Sequence, residues 1–218
     1  MIEPILIILA SLALAWPLGL YLARLMRGTP MRIDVLFHWV EKPLYRVLGV
    51  DPNHSMSWRG YVVAFLISNL VLAVLTQAVF MTQAWLPLNP DNIPNMRWDT
   101  ALHTMVSFLT NTNQQHYSGQ AQLSYFAQMT GITGLQVITP MMGLALAVAT
   151  LRALFMKPAS NDTGNAPVRV TVGNYYADVV RLCLRFLLPL CLVWTLLLNW
   201  QGVPSTLAAG PQATPIDG

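Results

Sequence analysis

Apolar windows alternate along this chain with short polar or charged connections, and their lengths say what they are. A hydrocarbon core of about 30 Å takes roughly 20 helical residues. Residues 4–23, between Glu3 and Arg24, form one charge-free window of that length, and residues 61–84 form a second. Residues 182–200 make another, whose single charge, Arg185, stands near one end, where a long basic side chain is expected to snorkel to the interface. The fourth, residues 123–151, is punctuated by Gly131, Gly134, Pro140 and Gly143, as a packed and kinked membrane helix is. The pattern predicts an all-α polytopic membrane protein with four transmembrane helices.

Just ahead of the fourth window, "ALHTMVSFL" (residues 101–109) is too short to cross, because nine helical residues rise only about 14 Å. It is predicted to enter the membrane and turn back. Asp99 and Thr100 are its N-cap candidates, a carboxylate there suiting the positive end of the helix dipole. Residues 98–109 then read as a re-entrant pore helix, and "TNTNQQHYSG" (residues 110–119) as the returning filter loop. That string lies in a stretch without any Lys, Arg, Asp or Glu between Asp99 and Arg152. Irregular backbone at membrane depth has to be buried in protein or line water, so the string is expected to sit inside something.

The chemistry of the string is neutral. Thr110, Asn111, Thr112, Asn113, Gln114, Gln115, Tyr117 and Ser118 offer carbonyls, amides and hydroxyls, and His116 alone titrates near neutral pH. A helix ending at Leu109 aims about half a negative charge at the residues beyond it, which favours a cation there. Successive backbone oxygens can replace a hydration shell, and the lack of carboxylates keeps binding weak enough for release. Divalent ions would be expected to recruit Asp or Glu. Asn tolerates left-handed backbone angles, so it can turn carbonyls inward where a filter would otherwise use Gly. Helix, half-helix, polar loop and helix in succession make a pore-loop pattern. The same residues are also compatible with a polar loop that only caps a packed interior.

Composition agrees with a membrane protein: 55% of residues are hydrophobic and 10% charged, against roughly 25% charged in average soluble domains. The net charge of +3 comes from twelve scattered bases that form no dense patch, so nucleic acid is excluded as a partner. By loop, Arg24, Arg27, Arg32, Lys42, Arg46 and Arg59 fall in the first connection, Arg152, Lys157, Arg169, Arg181 and Arg185 in or around the third, and Arg97 alone in the second. The positive-inside rule then makes the first and third connections cytoplasmic and the N-terminus, pore helix and tail extracytoplasmic. With no basic n-region and no cleavage site, the N-terminal run is expected to be a retained helix. The organisation is therefore a first helix over 1–24, a connection over 25–60 containing an interfacial helix in "RIDVLFHWVEKPLYRVLGV", a helix–loop–helix unit over 61–154, a connection over 155–181, a helix over 182–200 and a flexible tail over 201–218.

Other polar residues carry less. Cys183 and Cys191 read as packing residues rather than a disulfide or metal pair. His103 reads as packing, His38 and His54 as loop residues, and Asn69, Thr76 and Gln77 as cavity lining or interhelical hydrogen bonds. No phosphate-cradling glycine loop, paired carboxylates or activated nucleophile is found, so the chain is expected to hydrolyse no ATP itself.

Taken together, "LPLNPDNIPNMRWDTALHTMVSFLTNTNQQHYSG" and "LSYFAQMTG" resemble the first pore-loop repeat of the KdpA family, the potassium-binding subunit of the bacterial Kdp P-type ATPase. "WPLGLYLARLM", "YRVLGVDPNHSMSW" and "GNYYADVVRLCLRFLLPLCLVWTLLLNWQGVP" extend the resemblance over nearly the whole chain. It implies potassium entering from outside through a filter of four such repeats in one inner-membrane subunit, with ATP hydrolysed by KdpB and with KdpC and KdpF as further partners beside membrane lipid. By position, Thr110, Asn111, Thr112 and Asn113 would give oxygens to the first quarter of the filter, and Gln115 would stand at its mouth. Potassium is then the transported ion, and no covalently bound cofactor is implied.

Three departures from the family pattern bear on this. Gln114 stands where the family usually has Trp, and Gln120 where it usually has Glu, removing a bulky brace and a charge at the mouth. The chain also holds one pore loop and ends after the helix expected to open a second repeat. One quarter of a ring cannot dehydrate potassium, so the chain is expected to be inactive alone, as a truncated product or part of a split subunit completed by a separate polypeptide, in preference to an assembly of several copies. Two other readings stay open: a non-conducting membrane protein with a structural or regulatory role, and a Trk-like potassium transporter without an ATPase, although this string has no glycine before Gly119.

Overall fold

The computed structural model describes residues 2–29, 31, 34–155, 172–203 and 206–209, and among them every regular element is helical. In chain order these are α1 (Ile2–Arg27), α2 (Asp34–Leu48), α3 (Trp58–Thr82), α4 (Trp98–Leu109), the short α5 (Gly119–Gln122), α6 (Tyr125–Phe155) and α7 (Tyr175–Trp200). Four of them, α1, α3, α6 and α7, are long and apolar enough to cross a membrane. A 3₁₀ turn, Gln83–Trp85, prolongs α3, so that Trp58 and Trp85 bracket its 28-residue apolar stretch. At 1.5 Å per residue that is about 42 Å, the hydrocarbon core plus its interfaces, which is where exposed Trp rings collect. The apolar window of α1 buries no residue, an arrangement suited to lipid and not to water.

The boundaries depart from the sequence reading at one helix in particular. α7 begins at Tyr175, well before residue 182, because Asn174 caps it: its Oδ1 accepts from the Ala177 amide at 3.3 Å. Its Nδ2 donates to the backbone oxygens of Asp51 (3.1 Å) and His54 (3.0 Å), tying the α2–α3 loop to the start of α7. His38, expected in a loop, lies in α2. Most of the connection after α6, with Lys157 and Arg169, and most of the expected tail lie outside the described residues, as do the backbone of Arg32 and the side chain of Gln120. Within the tail, the Ala208 carbonyl accepts from the Tyr125 hydroxyl at 2.7 Å.

Contacts divide the chain into two compact units, residues 1–58 with 145–191 and residues 59–144 with 192–218. The first is organised by two arginines, Arg185 buried and Arg152 partly buried. Arg185 does not snorkel: it is buried, its Nε and Nη2 forking onto the Glu41 carboxylate at 2.5 and 2.6 Å while Nη1 pairs with Asp34. Glu41 occupies the middle of the buried stripe of α2, between Phe37 and Tyr45. Burial, with Glu41 adding to it, pushes the Tyr45 phenol up to about 12. A π-helical segment, Leu182–Leu187, and Pro189, which lacks an amide to bond four residues back, free the Arg185 carbonyl, and the Tyr21 hydroxyl takes it at 2.7 Å. Arg152 spreads over the Asp178 carboxylate (2.5 and 3.2 Å) and the carbonyls of Val172 and Met26. Gly173 lies against this pair at φ +96°, where a Cβ would run into the Arg152 guanidinium.

In the second unit α4 lies against α3 and the start of α6 through Phe80, Met96, Ala101, Met105, Leu123 and Ala127, with Ala73, Val79, Leu109 and Ile132 around them. The helix of residues 125–155 is π-helical over Gln128–Thr133, and there Gly131 lets the fully buried Phe80 ring rest on its backbone. A Cβ on Gly131 would stand 2.5 Å from Phe80 Cε1. Gly131→Ala is therefore expected to lower stability by about 1–3 kcal/mol, the usual cost of overpacking. Phe80→Leu in the same chain is expected to return part of it, measured by thermal unfolding in detergent.

Candidate functional site

The half-helix has the length its apolar run predicts, Trp98–Leu109, but not the expected cap. Arg97 is the N-cap residue, with extended backbone and no capping side chain. Asp99 lies inside the first turn, where its Oδ1 accepts from the Thr100 amide at 2.8 Å and its Oδ2 from Arg97 at 2.9 Å. The Thr100 amide, followed by Arg97, holds the Asp99 carboxyl below its ordinary value.

At the other end of α4 the chain turns through residues of alternating hand. Asn111 and Asn113 have φ of 59° and 51°, the left-handed region that Asn tolerates better than other residues with a Cβ. Five consecutive amides fold back on the end of the helix. Thr110 donates to Val106 O (3.0 Å), Asn111 to Phe108 O (3.4 Å), and Thr112 and Asn113 both to Ser107 O (3.0 and 3.2 Å). The Gln114 amide donates to the Ser107 hydroxyl at 2.6 Å, and that hydroxyl donates to the Gln114 carbonyl at 3.0 Å.

This pattern fixes where the oxygens go. In a planar trans peptide the C=O of one residue and the N–H of the next point in opposite directions. If the amides of residues 110–114 point back at α4, the carbonyls of Leu109, Thr110, Asn111, Thr112 and Asn113 point away from it. Among the described residues none of these five carbonyls accepts a hydrogen bond. Of the helix-end carbonyls, those of residues 106–108 are taken up by the loop amides, and the oxygens left open begin at Leu109 and continue over the next four residues. They retain the negative end of the dipole nearby.

Side chains hold the turn from two directions. The Thr110 hydroxyl donates to Val106 O (2.8 Å) and that of Thr112 to Ser107 O (3.1 Å), so both face the half-helix. The Asn111 Oδ1 accepts from the Thr139 hydroxyl of α6 at 2.8 Å. Gln115 stands beside Tyr117, whose phenol burial pushes up. The structure thus brings Thr110, Asn111, Thr112 and Asn113 into one turn and leaves Gln115 on the outgoing limb, with residues 110–116 exposed on this chain. A cavity of ≈ 570 Å³ lies along the same side, walled by Trp98, Asp99, His103 and Ser107 and by Thr110, Thr112 and Gln114 of the loop. His103 meets His116 edge to face, ring centroids 4.2 Å apart. The minor candidates of α3 are accounted for in part: Asn69 donates to Phe65 O and Gln77 to Trp98 O.

Ser107, Thr139 and Gln83 were missed in the sequence. Ser107 could have been found as the one hydroxyl in the last turn of the half-helix. Thr139 and Gln83 look like ordinary polar residues in apolar runs, and nothing local marks them.

These features define a polytopic α-helical membrane protein in which a short helix and an oxygen-lined turn are inserted between two membrane-length helices. The chain belongs to the KdpA family, described as the potassium-transporting ATPase A subunit, whose model matches residues 5–218. Similar proteins include three named potassium-transporting ATPase potassium-binding subunit. That of Alicyclobacillus acidocaldarius is 43% identical over 206 residues, 94% of this chain and 35% of the relative. That of Methylorubrum populi is 41% identical over 207 residues, 95% of this chain and 34% of the relative. That of Pseudomonas aeruginosa is 39% identical over 218 residues, 98% of this chain and 37% of the relative. The chain thus spans about a third of the length of the relatives it matches.

Proposed function

We propose that this chain supplies the first potassium-coordinating loop of the potassium-binding subunit of an ATP-driven uptake complex, and that Thr110, Asn111, Thr112 and Asn113 contribute its oxygens. The observation that carries the reading is the row of five carbonyls from Leu109 to Asn113 that accept no hydrogen bond among the described residues, held by amides that all bond backward to α4. Carbonyl oxygens without a formal charge suit a monovalent ion that must be stripped of water and later released. Asn111 meets Thr139, which lies fourteen residues into the helix of residues 125–155, about 21 Å along its roughly 46 Å, so the turn sits near mid-depth if that helix spans the bilayer. That depth supports a re-entrant pore helix over 98–109 and a filter over 110–119, within a pore-loop repeat over 61–154.

In this reading the subunit is non-catalytic. ATP hydrolysis belongs to KdpB, with KdpC and KdpF completing the complex in the bacterial inner membrane, and the other three pore loops complete the ring. The basic residues of the first and third connections would face the cytoplasm, placing the N-terminus and the loop mouth outside. Gln115 would stand at that mouth. The test is potassium-limited growth and rubidium uptake in a Kdp-deficient strain given this chain with the remaining repeats and partner subunits. Gln115→Arg, which sets a fixed positive charge beside the ion path, is expected to raise the half-saturating potassium concentration at least tenfold. An unchanged value removes Gln115 from the path.

A further inference from the structure

Gln83 is fully buried and lies just beyond the last α-helical turn of α3, where an apolar side chain would cost nothing to bury. Its amide is used at both ends. Nε2 donates to Pro94 O at 2.7 Å and to Gln122 O at 2.8 Å, and Oε1 accepts from the Ser124 amide at 3.1 Å. Pro94 lies on the limb that leads into α4, and Gln122 and Ser124 lie on the limb that returns from the loop. One side chain therefore joins both roots of the hairpin that carries the free carbonyls. Only a carboxamide offers two donors and an acceptor to such a site, since a carboxylate has no donor and an alkyl chain has neither.

We propose that Gln83 is a positioning residue, a clasp that holds the two limbs of the hairpin at a fixed separation and thereby sets where the oxygens of Leu109–Asn113 stand. The proposal deepens the potassium-loop reading and rests on it for its effect on transport, although the clasp itself can be tested without transport. The entry limb has a second tether, Asn95 Oδ1 accepting from the Ala84 amide at 2.9 Å. On the return limb, Gln128 Nε2 reaches the Gly119 and Leu123 carbonyls at 3.3 and 3.2 Å, which fastens that limb to α6 and not to its opposite number. Among the described residues, Gln83 is the side chain that bonds to both.

The experiment compares the wild-type chain with Gln83→Leu and Gln83→Glu in lipid nanodiscs by amide hydrogen exchange. Gln83→Glu keeps the shape and leaves at most one of the two donors, since a buried carboxyl is held neutral. Both variants are expected to exchange at least tenfold faster over residues 110–118, with α3 residues 61–76 unchanged. Unchanged exchange over 110–118 overturns the clasp, and so does faster exchange spread evenly over α3 and α6, which would make Gln83 a general stabiliser of the unit. In the assembled transporter, Gln83→Leu is expected to raise the half-saturating potassium concentration at least fivefold with the maximal rate unchanged. If exchange quickens over 110–118 while that concentration stays put, the clasp stands and the potassium-loop reading falls.

Discussion

Arg185→Met is expected to destabilise the protein by roughly 3–5 kcal/mol, the cost of leaving a buried charge without its partner. The guanidinium is shared by two carboxylates, and Glu41 is 2% exposed, so water cannot take the place of Arg185 at that site. Asp34 is better placed to survive, because it is partly exposed and its Oδ2 also accepts from the Met31 amide at 2.8 Å. Adding Glu41→Leu to Arg185→Met is therefore expected to return the chain to within about 1–2 kcal/mol of wild type, since a buried ion pair replaced whole by apolar groups is close to neutral. Thermal unfolding of the single and double variants in one detergent gives the comparison. If the double variant were no more stable than Arg185→Met, the loss would come from packing and not from an orphaned carboxylate.

At the loop, Asn111→Val is expected to raise the half-saturating potassium concentration about 150-fold, and Asn111→Gly about fivefold. Valine is β-branched and resists the left-handed region, where φ is 59°, by about 2 kcal/mol, and it also gives up the hydrogen bond from Thr139, about 1 kcal/mol more, which together convert to that first factor. Glycine adopts the same angle freely but gives up the hydrogen bond from Thr139, a net loss of about 1 kcal/mol. Rubidium uptake by the assembled transporter reads both. Equal effects from the two substitutions would mean that the backbone hand at residue 111 has no bearing on ion binding.

The contrast between these two sites describes what a sequence makes visible. The bounds of α4 could be read because a nine-residue apolar run cannot span a bilayer, and the left-handed turn because two asparagines alternate with two threonines in a neutral string. Both are local facts. The N-cap was misplaced because Asp99 offers the right chemistry in the wrong register: its carboxylate serves its neighbours Thr100 and Arg97 from inside the first turn. Arg185 was misread for a different reason. A charge near the end of an apolar window normally escapes to the interface, and the carboxylates that hold it are 144 and 151 residues away in sequence. Gln83 was hidden in the same way, as the last polar residue of a hydrophobic run whose three partners lie 11 to 41 residues downstream.

The backward bonds of the polar turn reach no further than seven residues, from Gln114 to Ser107. Such a turn takes its shape from its own half-helix together with the α3 and α6 side chains that brace it, and not from an ion. Its ordering entropy is met when residues 59–144 fold, so under the proposed function an arriving ion would find a receptor already built, and little of its binding free energy would go into organising the backbone.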